Sequence, residues 1–174
     1  METWDLYTAD RENTGQTMVR GGTQPAGTYR LVVHVCIFNG AGEMLIQQRQ
    51  HFKKGWPGMW DLSVGGSAVA GDTSRTAAER ETLEELGLAV SLDGIDPSLT
   101  VHFDYGFDDF YLLERDVDLE SVTLQEEEVA AAAWASEEKI LSMIDGGEFI
   151  PYHKSLISLL FSMREQRGAQ TKMH

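Results

Sequence analysis

The stretch from Gly65 to Leu88, GGSAVAGDTSRTAAERETLEELGL, constrains this chain more than any other. It predicts a helix bounded on both sides. Asp72, Thr73 and Ser74 are N-cap types, because their side-chain oxygens accept the free N–H groups of a first turn. Gly87 stands where a left-handed stop is expected, and Ala77, Ala78, Leu83 and Leu86 favour helix between them. Arg80, Glu81, Glu84 and Glu85 crowd into this helix. Glu81 precedes Glu84 by one helical step of three and Glu85 by one of four, so the three carboxylates share a face. Like charges so placed repel, and a divalent cation would convert repulsion into coordination. Hard oxygen donors suit Mg²⁺ or Mn²⁺. A solvated acidic face is the plainer interpretation of E-x-x-E-E alone. The glycine turn upstream and an arginine able to orient the acids shift the balance toward a site.

These residues are similar to the Nudix box, G-x5-E-x7-R-E-U-x-E-E-x-G-U, where U is a bulky aliphatic. Gly66 opens it, Arg80-Glu81 and Glu84-Glu85 supply R-E and E-E, and Gly87-Leu88 closes it. Asp72 replaces the first acid and Thr82 an aliphatic, leaving E-x-x-E-E whole. The family role of Asp72 is to tie the loop to the helix, and the Thr82 hydroxyl needs a partner if buried. The resemblance implies the Nudix fold, an α/β/α sandwich around a mixed β-sheet. It also implies metal ligation by Glu81, Glu84 and Glu85.

A wider resemblance covers Arg30 to Leu88. RLVVHVCIFN and KKGWPGMWDLSVGGS resemble the isopentenyl-diphosphate isomerase branch of the superfamily. That branch carries S-V-C-G-H after the tryptophan motif; here Gly65 stands for the cysteine, Ser67 for the histidine, and Arg30 for a further metal histidine. Double-bond migration needs a proton donor and acceptor flanking the allylic carbon, and the thiol is missing. Those isomerases have a degraded E-x-x-E-E, whereas this chain keeps it intact.

A length of 174 residues fits one domain with a real core. We expect an N-terminal β-hairpin and loop over 1–29, the catalytic domain over 30–165 and a polar tail over 166–174. The net charge of −14 repels nucleic-acid polymers and anionic membranes. A phosphorylated substrate must therefore be admitted by local cations. The single cysteine, Cys36, excludes an internal disulfide and fits a reducing, cytoplasmic setting. The acidic start lacks the basic and apolar regions of a secretory signal, and no apolar run reaches bilayer-spanning length.

Strands are expected at Trp4 to Tyr7 and Thr17 to Arg20 around a turn at Asn13-Thr14-Gly15. Further strands are expected at Arg30 to Phe38, Glu43 to Arg49, Asp61 to Val64, Ala89 to Leu92, Thr100 to Phe103, Phe110 to Leu113 and Val129 to Trp134. Asp104 to Asp109 reads as a turn, with Asp108 and Asp109 near substrate or merely an acidic tip. His34 reads as a hydrogen-bonded core histidine and Cys36 as a packed small side chain. Ser136 caps one helix, Pro151 opens another, and the hairpin edge is open to pairing in a homodimer.

The expected activity is metal-dependent hydrolysis of a nucleoside diphosphate-linked or other small diphosphate metabolite. Its alternatives are an isomerase or a non-catalytic binding domain, which the intact box disfavours. Glu81 and Glu84 are catalytic candidates beside Arg80, which would hold them. The resemblance adds an acid from the Leu124–Glu128 loop. Glu126, Glu127 and Glu128 all qualify by position, and Glu127 stands for the three. Arg49, Lys53 and Lys54 read evenly as phosphate-meeting cations or surface residues. Gly65 and Gly66, lacking side chains, would let phosphate approach the backbone.

Overall fold

β3 (Arg30–Phe38) is the strand from which the layers are built. Its sequence is apolar on both faces, as a doubly covered strand must be. Leu31, Val33, Val35 and Ile37 point to one side; Cys36 and Phe38 point to the other. The first set packs under α1 (Ser74–Leu86), against Ala77, Ala78 and Leu86. The second packs under α2 (Glu137–Asp145) and α3 (Lys154–Met163), against Ile140, Met143, Ile157, Leu160 and Phe161. The result is helix, mixed sheet, helix. The computed structural model describes residues 1–171, so the end of the polar tail expected over 166–174 lies outside the described residues.

β3 pairs antiparallel with β6 (Val64–Ser67) and parallel with β8 (Gly106–Glu114). β7 (Leu99–Phe103) adds to the far side of β8. β4 (Met44–Arg49) meets β3 only where Phe38 faces Met44, and itself pairs with β5 (Trp60–Asp61) and β9 (Val129–Ala135). A separate antiparallel hairpin, β1 (Thr3–Tyr7) with β2 (Asn13–Val19), lies beside β3.

Several local expectations change. The turn expected over Asp104 to Asp109 is confined to Asp104 and Tyr105, because β8 begins at Gly106, and the strand expected over Asp61 to Val64 is split between the end of β5 and the start of β6. The hairpin bends at residues 8–12, ahead of Asn13, and Asn13-Thr14-Gly15 belongs to β2. Arg11 makes that bend with a left-handed φ of 62°, held by a partner far away in sequence. Ala89 to Leu92 forms no strand: Leu92 is buried as loop, and its N–H donates to Glu79 Oε1 at 2.6 Å. The final helix starts at Lys154, with His153 at its N-cap and no side-chain cap bond, so Pro151 precedes it.

Candidate active site

Thr73 caps α1, accepting from the N–H of Thr76 while the Thr76 hydroxyl accepts from the N–H of Thr73. Gly87 ends the helix at φ 66°. The departure at Thr82 is absorbed locally, because its buried hydroxyl donates to the Ala78 carbonyl at 2.7 Å. Between these ends the helix lays Glu81, Glu84 and Glu85 along one cleft of about 210 Å³.

Arg80 organises the cleft. Its Nη2 and Nε donate to Asp72 Oδ2 at 2.9 and 3.2 Å. Its Nη1 donates to Glu81 Oε1 at 2.9 Å and to Glu84 Oε2 at 3.2 Å. Asp72 also accepts from the Val69 N–H, so the shorter acid ties the preceding loop to the helix. Burial works against the Arg80 charge, but the bonds to Asp72 and Glu81 hold its pKa above the usual value.

Glu81 lies against β6. A Cβ on Gly66 would sit 2.3 Å from the Glu81 carboxyl carbon. Only glycine leaves that space. Burial pushes the Glu81 carboxyl up to about 7, against the pull of Arg80. Glu85 is buried and turns to Gln47, whose Nε2 donates to its Oε2 at 2.6 Å. Burial and then the neighbouring Glu81 charge raise it to about 8. Glu84 is about half exposed.

The expected convergence of the three glutamates is incomplete. Arg80 occupies the space between Glu81 and Glu84, and Glu85 is engaged by Gln47. Among the described residues, no three metal-ligating side chains meet at one point. Donor type and charge nevertheless fit a hard divalent cation. Five glutamates (Glu2, Glu81, Glu84, Glu85 and Glu128) line the cleft against two arginines, Arg20 and Arg80. A diphosphate meets net negative charge there unless cations accompany it. The Arg80 Nη1 that bridges Glu81 and Glu84 stands where a cation between those two carboxylates would have to sit, whereas Nη2 and Nε are held by Asp72.

The remaining predicted residues separate. Gly65 and Gly66 line the cleft. Of the acidic loop, Glu128 lines it, whereas Glu126 and Glu127 are exposed outside it. Lys53 pairs with Glu128 and thereby reaches the rim, while Lys54 is exposed. Arg49 donates to the Gly55 carbonyl and stands 3.7 Å from Asp61. It lines a second cavity of about 450 Å³, which shares Gly65, Gly66 and Ser67 with the first as a common wall. Asp108 lines that cavity too. Asp109 does not: it is fully buried in β8 and accepts from Arg11, Ser74 and Thr100.

Glu2 and Arg20 were not foreseen from the sequence. They follow from hairpin register. Thr3 opposes Val19, which brings Arg20 Nη1 to Glu2 Oε2 at 2.9 Å. No local signal marks either residue; only correct strand pairing reveals them.

The NUDIX domain family model matches residues 28–153. The chain is 48% identical over 164 residues to lmo0368, an uncharacterized Nudix hydrolase of Listeria monocytogenes, covering 94% of this chain and 96% of that one. It is 33% identical over 166 residues to Nudix hydrolase 3 of Arabidopsis thaliana, covering 87% of this chain and 22% of that one. Among solved structures it is similar to DR0079 of Deinococcus radiodurans, with a TM-score of 0.72, 25% identity and coverage of 91% and 97%. The fold is also that of a MutT protein from Methanosarcina mazei, with a TM-score of 0.60, 21% identity and coverage of 84% and 100%. An acid-lined α1 tied by Arg80 to a glycine strand, on a chain so matched, belongs to the Nudix hydrolases, enzymes that act on pyrophosphate bonds.

Proposed function

We propose that the chain hydrolyses the pyrophosphate linkage of a small diphosphate metabolite by attack of water at phosphorus, with Mg²⁺ or Mn²⁺ held by Glu81, Glu84 and Glu85. The observation that carries this is the acid excess of the α1 cleft beside a strand without side chains. A bound divalent cation supplies neutralisation of the diphosphate oxygens and a more acidic water.

The protein's own groups do the rest. Gly65 and Gly66 leave room for phosphate oxygens along the backbone of β6. Asp72 anchors Arg80, and Arg80 fixes where Glu81 and Glu84 stand. The water's proton passes to a carboxylate that lines the cleft, Glu81, Glu84 or Glu128; Glu128 supplants Glu127 as the acid of its loop. Arg20 and Lys53 stand at the rim as cations to meet the departing phosphate.

Hydrolysis is favoured over the isomerase alternative by the position of the only thiol. Cys36 is fully buried among the α2 and α3 contacts, with its pKa raised by burial, and Gly65 takes the thiol's place at the cleft. Turnover is favoured over mere binding by the intact R-E-x-x-E-E. The test is hydrolysis in heavy-oxygen water across a panel of nucleoside diphosphate derivatives with Mg²⁺. Label in the phosphorylated product is expected. Label only in the alcohol, or migration of the double bond of isopentenyl diphosphate without hydrolysis, contradicts the proposal.

A further inference from the structure

Two arginines line the carboxylate cleft, and only one of them has uncommitted donors. Arg80 has none left. Its Nε and Nη2 donate to Asp72, Nη2 also to the Ser67 carbonyl, and Nη1 to Glu81 and Glu84. Arg20 makes a single side-chain bond among the described residues, from Nη1 to Glu2 Oε2 at 2.9 Å. Its Nε–H and Nη2–H lie side by side on one edge of the planar guanidinium and have no protein partner. Such an edge matches two phosphate oxygens at once. The Arg20 side chain is 56% exposed, so a ligand in the cleft can reach it.

The neighbours of Arg20 aim it. Its N–H donates to the Glu2 carbonyl at 3.0 Å, which brings the two residues together across the hairpin. Glu2 Oε1 accepts from the Trp4 indole N–H at 2.8 Å. Trp4 is fixed in turn: it is buried with Leu6 and Met18, and its ring lies 5.0 Å from the Arg30 guanidinium. Glu2 is therefore held at one oxygen by a buried ring and holds Arg20 with the other. The hairpin is also tied to the loop between β6 and α1. There the Ala70 N–H donates to the Thr3 carbonyl and the Gly71 N–H to Asp5 Oδ2, both at 2.8 Å. All the hairpin residues in these contacts precede the family-matched stretch 28–153.

We propose that the N-terminal hairpin is a phosphate arm of the active site: Arg20 grips two non-bridging oxygens of the diphosphate through Nε and Nη2, and Glu2 is the positioning residue that aims it. This deepens the hydrolase assignment and rests on it for the presence of a diphosphate in the cleft. Glu2 thus acts against its own charge. A carboxylate that merely lined an acidic cleft would repel a diphosphate, whereas the clamp on Arg20 Nη1 improves its binding. The sign of the effect of removing that charge separates the two roles.

The test is calorimetry on the whole protein in Mn²⁺ with methylenediphosphonate, a diphosphate mimic whose bridge water cannot cleave. Arg20→Gln is expected to weaken its binding about tenfold or more, equivalent to about 1.4 kcal/mol. Arg20→Lys should recover only part of that loss, because an ammonium has no paired edge. Glu2→Gln is expected to weaken binding about threefold, the scale of one hydrogen bond, and to change nothing further in the Arg20→Gln background. Mn²⁺ affinity without the diphosphonate should not fall in Arg20→Gln; a parallel fall would trace the loss to a damaged site and overturn the phosphate role. That role is also overturned if either Arg20 variant binds the diphosphonate as wild type does, if Glu2→Gln binds it more tightly, or if the two losses simply add. Phosphate release by wild type from a diphosphate substrate reports on the hydrolase assignment alone.

Discussion

Asp109 shows how much one buried side chain can govern. It is fully buried and accepts two bonds from Arg11, at 2.8 and 2.7 Å, and one each from Ser74 and Thr100, both at 2.6 Å. Burial alone would raise its pKa, yet those donors hold it below the usual carboxylate range. A depressed carboxylate contributes stability above its unfolded pKa and loses it as pH falls through the folded one. Asp109→Ala should therefore cost about 2–3 kcal/mol at neutral pH, the buried-pair value reduced for the partly exposed Arg11. The gap to wild type should narrow below about pH 4. Urea melts at neutral and acid pH check both; a gap independent of pH would deny the carboxylate its role. The same residue explains why the hairpin bend was misplaced in sequence. Asn13-Thr14-Gly15 has turn composition, but Arg11 is fixed by a partner 98 positions away, and no local pattern carries that.

At the scale of elements, the approach of α1 to β6 sets the site. Gly66 pairs with Val33 in the ladder, where alanine is an ordinary strand residue, so the backbone tolerates Gly66→Ala. The added methyl must displace Glu81. Misplacement of a reacting group by about 1 Å costs on the order of 100-fold in rate. We expect kcat to fall by that order with the melting temperature within a few degrees of wild type; unchanged kcat would show that Glu81 need not touch β6. The helix, its caps and the face of its acids were legible because spacing alone fixes them. Glu128 over Glu127 was not, since three adjacent acids in a loop differ only by backbone direction. The Ala89 to Leu92 expectation failed because Leu92 alone of that stretch joins the core, as a loop residue in the cluster that contains Ala77, Ala78 and Leu86 of α1.

For the whole molecule, two apolar layers on β3 hold one helix above the sheet and two below, and both cavities meet at Gly65–Ser67. That arrangement was foreseeable from the order of elements and from the box. The hairpin's contribution of Glu2 and Arg20 was not, because it depends on register between distant strands. No helix among the described residues is long and apolar enough to cross a membrane. In the proposed function the α1 carboxylates hold the divalent cation that makes diphosphate cleavage possible. That role is tested most directly by titrating Mn²⁺ into wild type, Glu84→Gln and Glu85→Gln while following phosphate release from a diphosphate substrate. The account predicts that each substitution lowers both Mn²⁺ affinity and turnover by at least about tenfold, the lower range for losing a group at a metal site, while the folded baseline persists. Wild-type affinity and turnover in both variants would contradict it.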